Sequence, residues 1–151
     1  MTPNQQSALE GLISRSLTGD EIAAIDLLLP ERNDVAIAAI LSTGRVKTQP
    51  TPIGIGTVLA VMAPSGGEFL NALESKGATD ANVKWALKMI EQQTFDVGHA
   101  VTRAQLEAFA GATPEMAAAV GALLAVAEVA DPIHYNAVSD VLNIAEGLVT
   151  L

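Results

Sequence analysis

Apolar residues recur at helical spacing along nearly the whole chain, interrupted at short intervals by proline, glycine and helix-capping residues. Leu9, Leu12 and Ile13 share one face of a predicted helix over residues 3–16. Thr18-Gly19-Asp20-Glu21 follows with a hydroxyl three residues before a carboxylate, the capping-box pattern, and opens a second helix carrying Ile22, Ile25 and Leu28 or Leu29. Pro30 ends it. Residues 31–42 read as a third helix whose stretch Val35-Ala36-Ile37-Ala38-Ala39-Ile40-Leu41 is apolar all round, which predicts burial on several sides; Gly44 supplies the stop.

Residues 45–52 break the pattern. Pro50 and Pro52 hold the backbone extended and Arg45 and Lys47 add charge, so residues 44–53 are expected to form an irregular loop or arm. A short helix is expected over residues 53–62, although Gly54 and Gly56 leave room for a strand at 57–62. After Pro64-Ser65-Gly66-Gly67 a helix with Phe69, Leu70 and Leu73 runs to Gly77, and Thr79 or Asp80 caps the next, over residues 81–93. Thr102 is expected to cap a short helix ending at Ala110. Thr113-Pro114 should open a nearly all-apolar, buried helix over 116–129, and Asp131-Pro132 a last one carrying Val138, Val141, Leu142, Ala145 and Leu148. Residues 20–42 and 118–143 share a helix, proline turn, helix order, which any two helical hairpins also share.

The helix at 81–93 carries two apolar stripes. Val83, Ala86, Leu87 and Ile90 fall at i, i+3, i+4 and i+7 and make a core face. Trp85 and Met89, also four apart, point to nearly the opposite side, separated from that face by Lys84, Lys88 and Glu91. Such a helix is either sandwiched inside its domain or covered by a partner. The pattern as a whole predicts an all-α fold, a compact multi-helix single domain of short helices with a short β segment allowed near residues 45–62.

Composition sharpens this picture in two ways. With 151 residues, 50% of them hydrophobic and 17% charged, the chain can bury roughly two-thirds of its unfolded surface and should fold. Aromatics are only 3%, so the core must be built from Ala, Leu, Ile and Val. The longest apolar stretch, at 116–127, falls short of the roughly 20 residues that span a bilayer. The first residues lack the basic and apolar regions of a secretory signal, and no membrane association is expected.

Net charge is −9, and every Lys and Arg lies at or before Arg103, leaving Glu107, Glu115, Glu128, Asp131, Asp140 and Glu146 without a basic neighbour later in the chain. Phosphate backbones should repel such a protein, so direct nucleic-acid binding is not expected. With no cysteine, thiol catalysis and thiolate metal sites are excluded. His99 and His134 are too far apart in sequence for a helical metal pair, and Ser139 and Asp140 do not share a helical face with His134. Gly54-Ile55-Gly56 lacks the third glycine and downstream acid of a dinucleotide fingerprint; close backbone approach within the core explains it better. No catalytic residue, cofactor or metal is expected.

Several segments resemble small, Ala-rich proteins of unknown function encoded by tailed bacteriophages and prophages of proteobacteria. They are Asn33-Asp34-Val35-Ala36-Ile37-Ala38-Ala39-Ile40-Leu41-Ser42-Thr43-Gly44-Arg45, Ile55-Gly56-Thr57-Val58-Leu59, Val83-Lys84-Trp85-Ala86, Asp131-Pro132-Ile133 and Ala137-Val138-Ser139-Asp140-Val141-Leu142-Asn143. Genes of that group lie near tail and fibre genes, so the resemblance implies a virion protein, assembled in the host cytoplasm; it defines no functional residues. The expected function is therefore structural and non-enzymatic, exercised on other virion proteins or on copies of the chain itself, with an oligomer as one outcome. The expected protein-binding residues are Trp85, Met89, Arg45, Lys47, Pro50 and Pro52. The alternative is a phage-encoded inhibitor of a bacterial immune protein, presenting the acidic C-terminal third to a basic groove; a small enzyme ranks last.

Overall fold

A computed structural model describes residues 1–111 and 113–148, which are mostly helical with a few very short strands. In chain order the elements are α1 (Pro3–Ile13), α2 (Gly19–Leu28), α3 (Asp34–Ser42), β1 (Val46–Thr48), β2 (Pro52–Ile53), α4 (Ile55–Val61), α5 (Gly66–Gly77), α6 (Ala81–Glu91), β3 (Phe95–Asp96), α7 (Ala100–Ala110), α8 (Pro114–Ala125), β4 (Glu128–Ala130) and α9 (Tyr135–Ala145). The helical fold class and a β segment near residues 45–62 both match the hydrophobic pattern.

Side-chain caps set several of these boundaries. The Glu21 amide donates to Thr18 Oγ1 (3.2 Å) and the Thr18 amide to Glu21 Oε2 (2.8 Å), the reciprocal box read from the sequence. Thr2 and Gln5 form another at the start of α1. Thr113 accepts from the Met116 amide (3.2 Å) with Pro114 following it, as the start of α8 requires.

By its contacts the chain divides into two compact units, Met1–Val46 together with the segment from Ala130, and Lys47–Val129. The first is built on α1, α2, α3 and α9 around Leu9, Ile25, Ile37, Leu41, Val138 and Leu142, all fully buried. Arg32, at φ 51°, turns the chain between α2 and α3, and its guanidinium donates to Glu146 (2.8 Å) and Asn143 (2.9 Å) at the far end of α9. That left-handed residue is why α3 starts late, with Asn33 as its cap, rather than at Glu31. The expected all-round burial of α3 does not occur: Ile37, Ala38 and Leu41 are buried, while Val35 is 64% exposed.

The second unit carries α4 to α8 around Val58, Met62, Phe69, Ile90, Val97 and Leu123. Phe69 meets Phe109 edge to face at 5.5 Å between centroids. β2 and β3 pair antiparallel, Pro52 opposite Asp96 and Ile53 opposite Phe95. Beside them Asp96 Oδ1 accepts from the amides of Thr51 (2.7 Å) and Gly98 (2.8 Å), which holds its carboxyl below the usual range. A Cβ on Gly98 would stand 1.9 Å from the Gln49 carbonyl oxygen, so only glycine fits there. The chain passes from the first unit to the second through β1 and returns through β4, and these two strands pair with each other.

The short helix expected over residues 53–62 forms as α4, and the β structure allowed nearby lies in β1 and β2; other sequence expectations are corrected. Of the two glycines beside it, Gly54 does sit against the Gln93 side chain, whereas Gly56 faces open space. Thr102 lies inside α7, whose cap is His99, because the Asp96-to-Gly98 turn delivers the chain into helix earlier. The helix expected over 116–129 stops at Ala125, and β4 follows. Arg103 donates to the Leu124 carbonyl (2.8 Å) and to Glu128 (2.5 Å), giving the end of α8 the cation that a helix C-terminus favours. Only one side of α8 is buried, through Val120, Leu123 and Leu124; small residues such as Ala117, Gly121 and Ala122 form its exposed side. Asp131 does not cap the last helix. Its carboxylate is taken by Arg45 (2.8 Å), Pro132 follows, and the cap falls to His134, whose Nδ1 accepts from the Asn136 amide (3.2 Å).

Candidate functional site

The most exposed aromatic surface among the described residues is on α6. Asp80 starts this helix, its Oδ1 accepting from the amides of Asn82 (2.9 Å) and Val83 (3.4 Å). At the other end Gln93 takes φ 59° and the Thr94 amide closes on the Met89 carbonyl (2.9 Å). Between these limits the inner stripe behaves as its spacing predicts: Ile90 is fully buried, and Val83, Ala86 and Leu87 are half-buried against the core. The outer stripe does not enter a core. Trp85 is 61% exposed and Met89 40%. Of the two expectations for a two-striped helix, sandwiching inside the domain is therefore overturned. The Lys88 ammonium lies 5.0 Å from the centre of the indole ring, a cation–π contact along the helix.

A cavity of about 240 Å³ lies between α5, α6 and α7. Leu73, Val83, Ala86, Phe95, Leu106 and Phe109 supply its apolar wall; Lys76, Asp80, Asn82 and Gln105 are its polar groups. The Lys76 ammonium stands 5.3 Å from the Phe109 ring centre. Sequence reasoning missed this cavity, because its wall comes from three helices and a strand that no single periodicity relates.

No family model, curated protein or solved structure matches this chain.

The other four sequence candidates lie apart from Trp85 and Met89 in the chain, on and around β1 and β2. Lys47 belongs to β1, Pro52 to β2, and Pro50 is exposed between them. Their backbone is tied to the rest of the protein rather than projecting from it: the Gln49 amide donates to the Ala127 carbonyl (2.9 Å) and the Val97 amide to the Thr51 carbonyl (3.2 Å). Arg45 is engaged as well, with Asp131 and with the Ile13 carbonyl (3.4 Å). Of the loop or arm expected over residues 44–53, the hydrogen bonds favour a connection held against its own chain.

Charge is also more evenly matched than its order along the chain suggests. Of the late acidic residues, Glu128 pairs with Arg103, Asp131 with Arg45 and Glu146 with Arg32. Glu21, beside Arg15 (2.5 Å) and accepting from Thr18, has its carboxyl drawn down to about 2. No group of three acidic or histidine side chains suited to a metal ion occurs among the described residues. No described helix is long and apolar enough to cross a membrane.

Proposed function

We propose that this chain is a non-enzymatic structural protein of a tailed bacteriophage, a component of the tail or fibre region that works through protein–protein contacts, with the Trp85 face of α6 as a contact surface. The observation that carries the reading is the exposure of Trp85 at 61%, with Met89 beside it. Tryptophan, methionine and arginine are enriched in protein interfaces, and tryptophan dominates their energetic centres. An indole held on a rigid, well-capped helix also loses little freedom on binding. The segments resembling phage proteins supply the setting, and the Val83-Lys84-Trp85-Ala86 segment among them lies on this helix.

The acidic-inhibitor alternative draws less support, since three of the six late acidic residues are matched by arginines of the same chain. Mass spectrometry of purified particles tests the proposal directly. A structural component is found in the particles at a fixed copy number. Its absence from particles of a phage that expresses it refutes the proposal.

A further inference from the structure

Asn82, Trp85, Ala86 and Met89 follow one another at i, i+3, i+4 and i+7 and therefore share one strip of α6. Asn82 and Ala86 line the cavity, and the exposed Trp85 and Met89, outside its lining, lie within one helical turn of them on that strip. An apolar knob beside an apolar hole is the arrangement a two-fold contact requires: one patch, complementary to itself, with each knob over the other copy's hole. We infer that this face joins two copies of the chain, the Trp85 indole of each seating in the cavity between α5, α6 and α7 of the other. The inference rests on the reading of α6 as a contact surface and names its partner.

Size, chemistry and charge agree with that occupant. A dry, apolar cavity of about 150 Å³ already admits benzene, and this one, at about 240 Å³, is large enough for an indole. Phe109 and Phe95 are among its lining residues, and Lys76, already 5.3 Å from the Phe109 ring, is close enough to meet a second aromatic ring. Lys84 and Lys88 flank Trp85 and arrive with it. At the mouth Asp80 has Oδ1 occupied by the Asn82 and Val83 amides, which leaves Oδ2 to accept from an incoming ammonium. An indole buries about 150–250 Å², and two of them supply well under half of the roughly 1,600 Å² of a standard interface. The dimer should therefore be a reversible one of micromolar affinity.

Trp85 is the only tryptophan in the chain, so its emission reports this contact without labelling. With rising concentration the emission should shift to the blue as the indole leaves water, in step with a doubling of mass in sedimentation velocity. Trp85→Ala should weaken self-association about 30-fold or more while leaving the far-ultraviolet circular dichroism unchanged. Ala108→Trp, introduced at an exposed position of the cavity wall on α7, should plug the hole and weaken it comparably. Mixing the two variants should restore a heterodimer, because one keeps the hole and the other keeps the knob. If Ala108→Trp does not fold, Met89→Asp on the exposed rim takes its place as the second weakening variant. A wild-type chain that stays monomeric up to about 1 mM, the weak end of specific binding, overturns the inference. So does a Trp85→Ala chain that dimerises as the wild type does. A monomeric chain found in particles would sink the dimer and keep the virion reading; a Trp85-dependent dimer absent from particles would do the reverse.

Discussion

Replacing Gly98 by alanine tests how tightly the Asp96 turn holds the second unit together. The added Cβ would lie 1.9 Å from the Gln49 carbonyl oxygen and 2.6 Å from its carbon, both backbone atoms that no side-chain rotation can clear. Restoring even a 3.0 Å contact requires a displacement of about 1.1 Å. A movement of that size takes the Gln49 amide out of range of the Ala127 carbonyl, now at 2.9 Å, or pulls the Gly98 amide from Asp96, now at 2.8 Å. Losing the neutral bond costs about 1 kcal/mol and losing the charge-assisted one about 2 kcal/mol. Gly121→Ala is the matched control, an exposed position inside α8 with nothing within 4 Å of the new Cβ, and it should stabilise by about 0.5–1 kcal/mol through helix propensity. Urea unfolding followed by far-ultraviolet circular dichroism should separate the two variants by about 1.5–3 kcal/mol. A carboxyl titration by NMR gives an independent reading: with its amide donors displaced, Asp96 should rise toward the ordinary range. If Gly98→Ala and Gly121→Ala unfold within about 1 kcal/mol of each other and Asp96 does not move, the turn is not the constraint described here.

The remaining predictions concern caps and charges. Because folding draws Glu21 down to about 2 from 4.5, its contribution is present above about pH 4.5 and is lost as the pH falls toward 2. Arg15→Ala should raise the Glu21 titration midpoint in NMR toward the ordinary carboxyl range; an unmoved midpoint would mean that Arg15 is not what holds it down. Thr113→Ala should destabilise by about 1 kcal/mol in chemical denaturation, through loss of the bond to the Met116 amide; no change would mean that Pro114 alone sets the start of α8. Arg45→Glu sets a carboxylate against Asp131 and should lower the melting temperature, with a deficit of about 2 kcal/mol. An unchanged melting temperature would favour the exposed arm over the bonded connection.

What the sequence reveals here depends on the range of each interaction. Caps are local, so Thr18, Asp80 and Thr113 were legible from their neighbours three residues on. The inner stripe of α6 was legible for the same reason. The strands were not: at two or three residues they are too short for an alternating pattern, and β1 is stabilised by β4, some 80 residues away. Distance also hid the fate of the ends of α8 and α9. Val126 and Val129 continue an apolar run that reads as helix, and it takes Arg103 on the Leu124 carbonyl to show where the helix stops. For Trp85 the spacing identified the stripe but not its environment, since exposure depends on which helices lie alongside, and those come from tertiary packing.

The route of the chain through its two units sets an order for folding during synthesis. Residues 47–129 are continuous, so their core can close as soon as α8 has left the ribosome. The other core needs Val138 and Leu142, and until α9 emerges α1, α2 and α3 are without the helix that completes it. Residues of α1, α2 and α3 are thus made before the second unit yet reach their final packing after it. Over that interval Leu9, Ile25 and Ile37 lack part of their cover, which is when a chaperone would have most to bind.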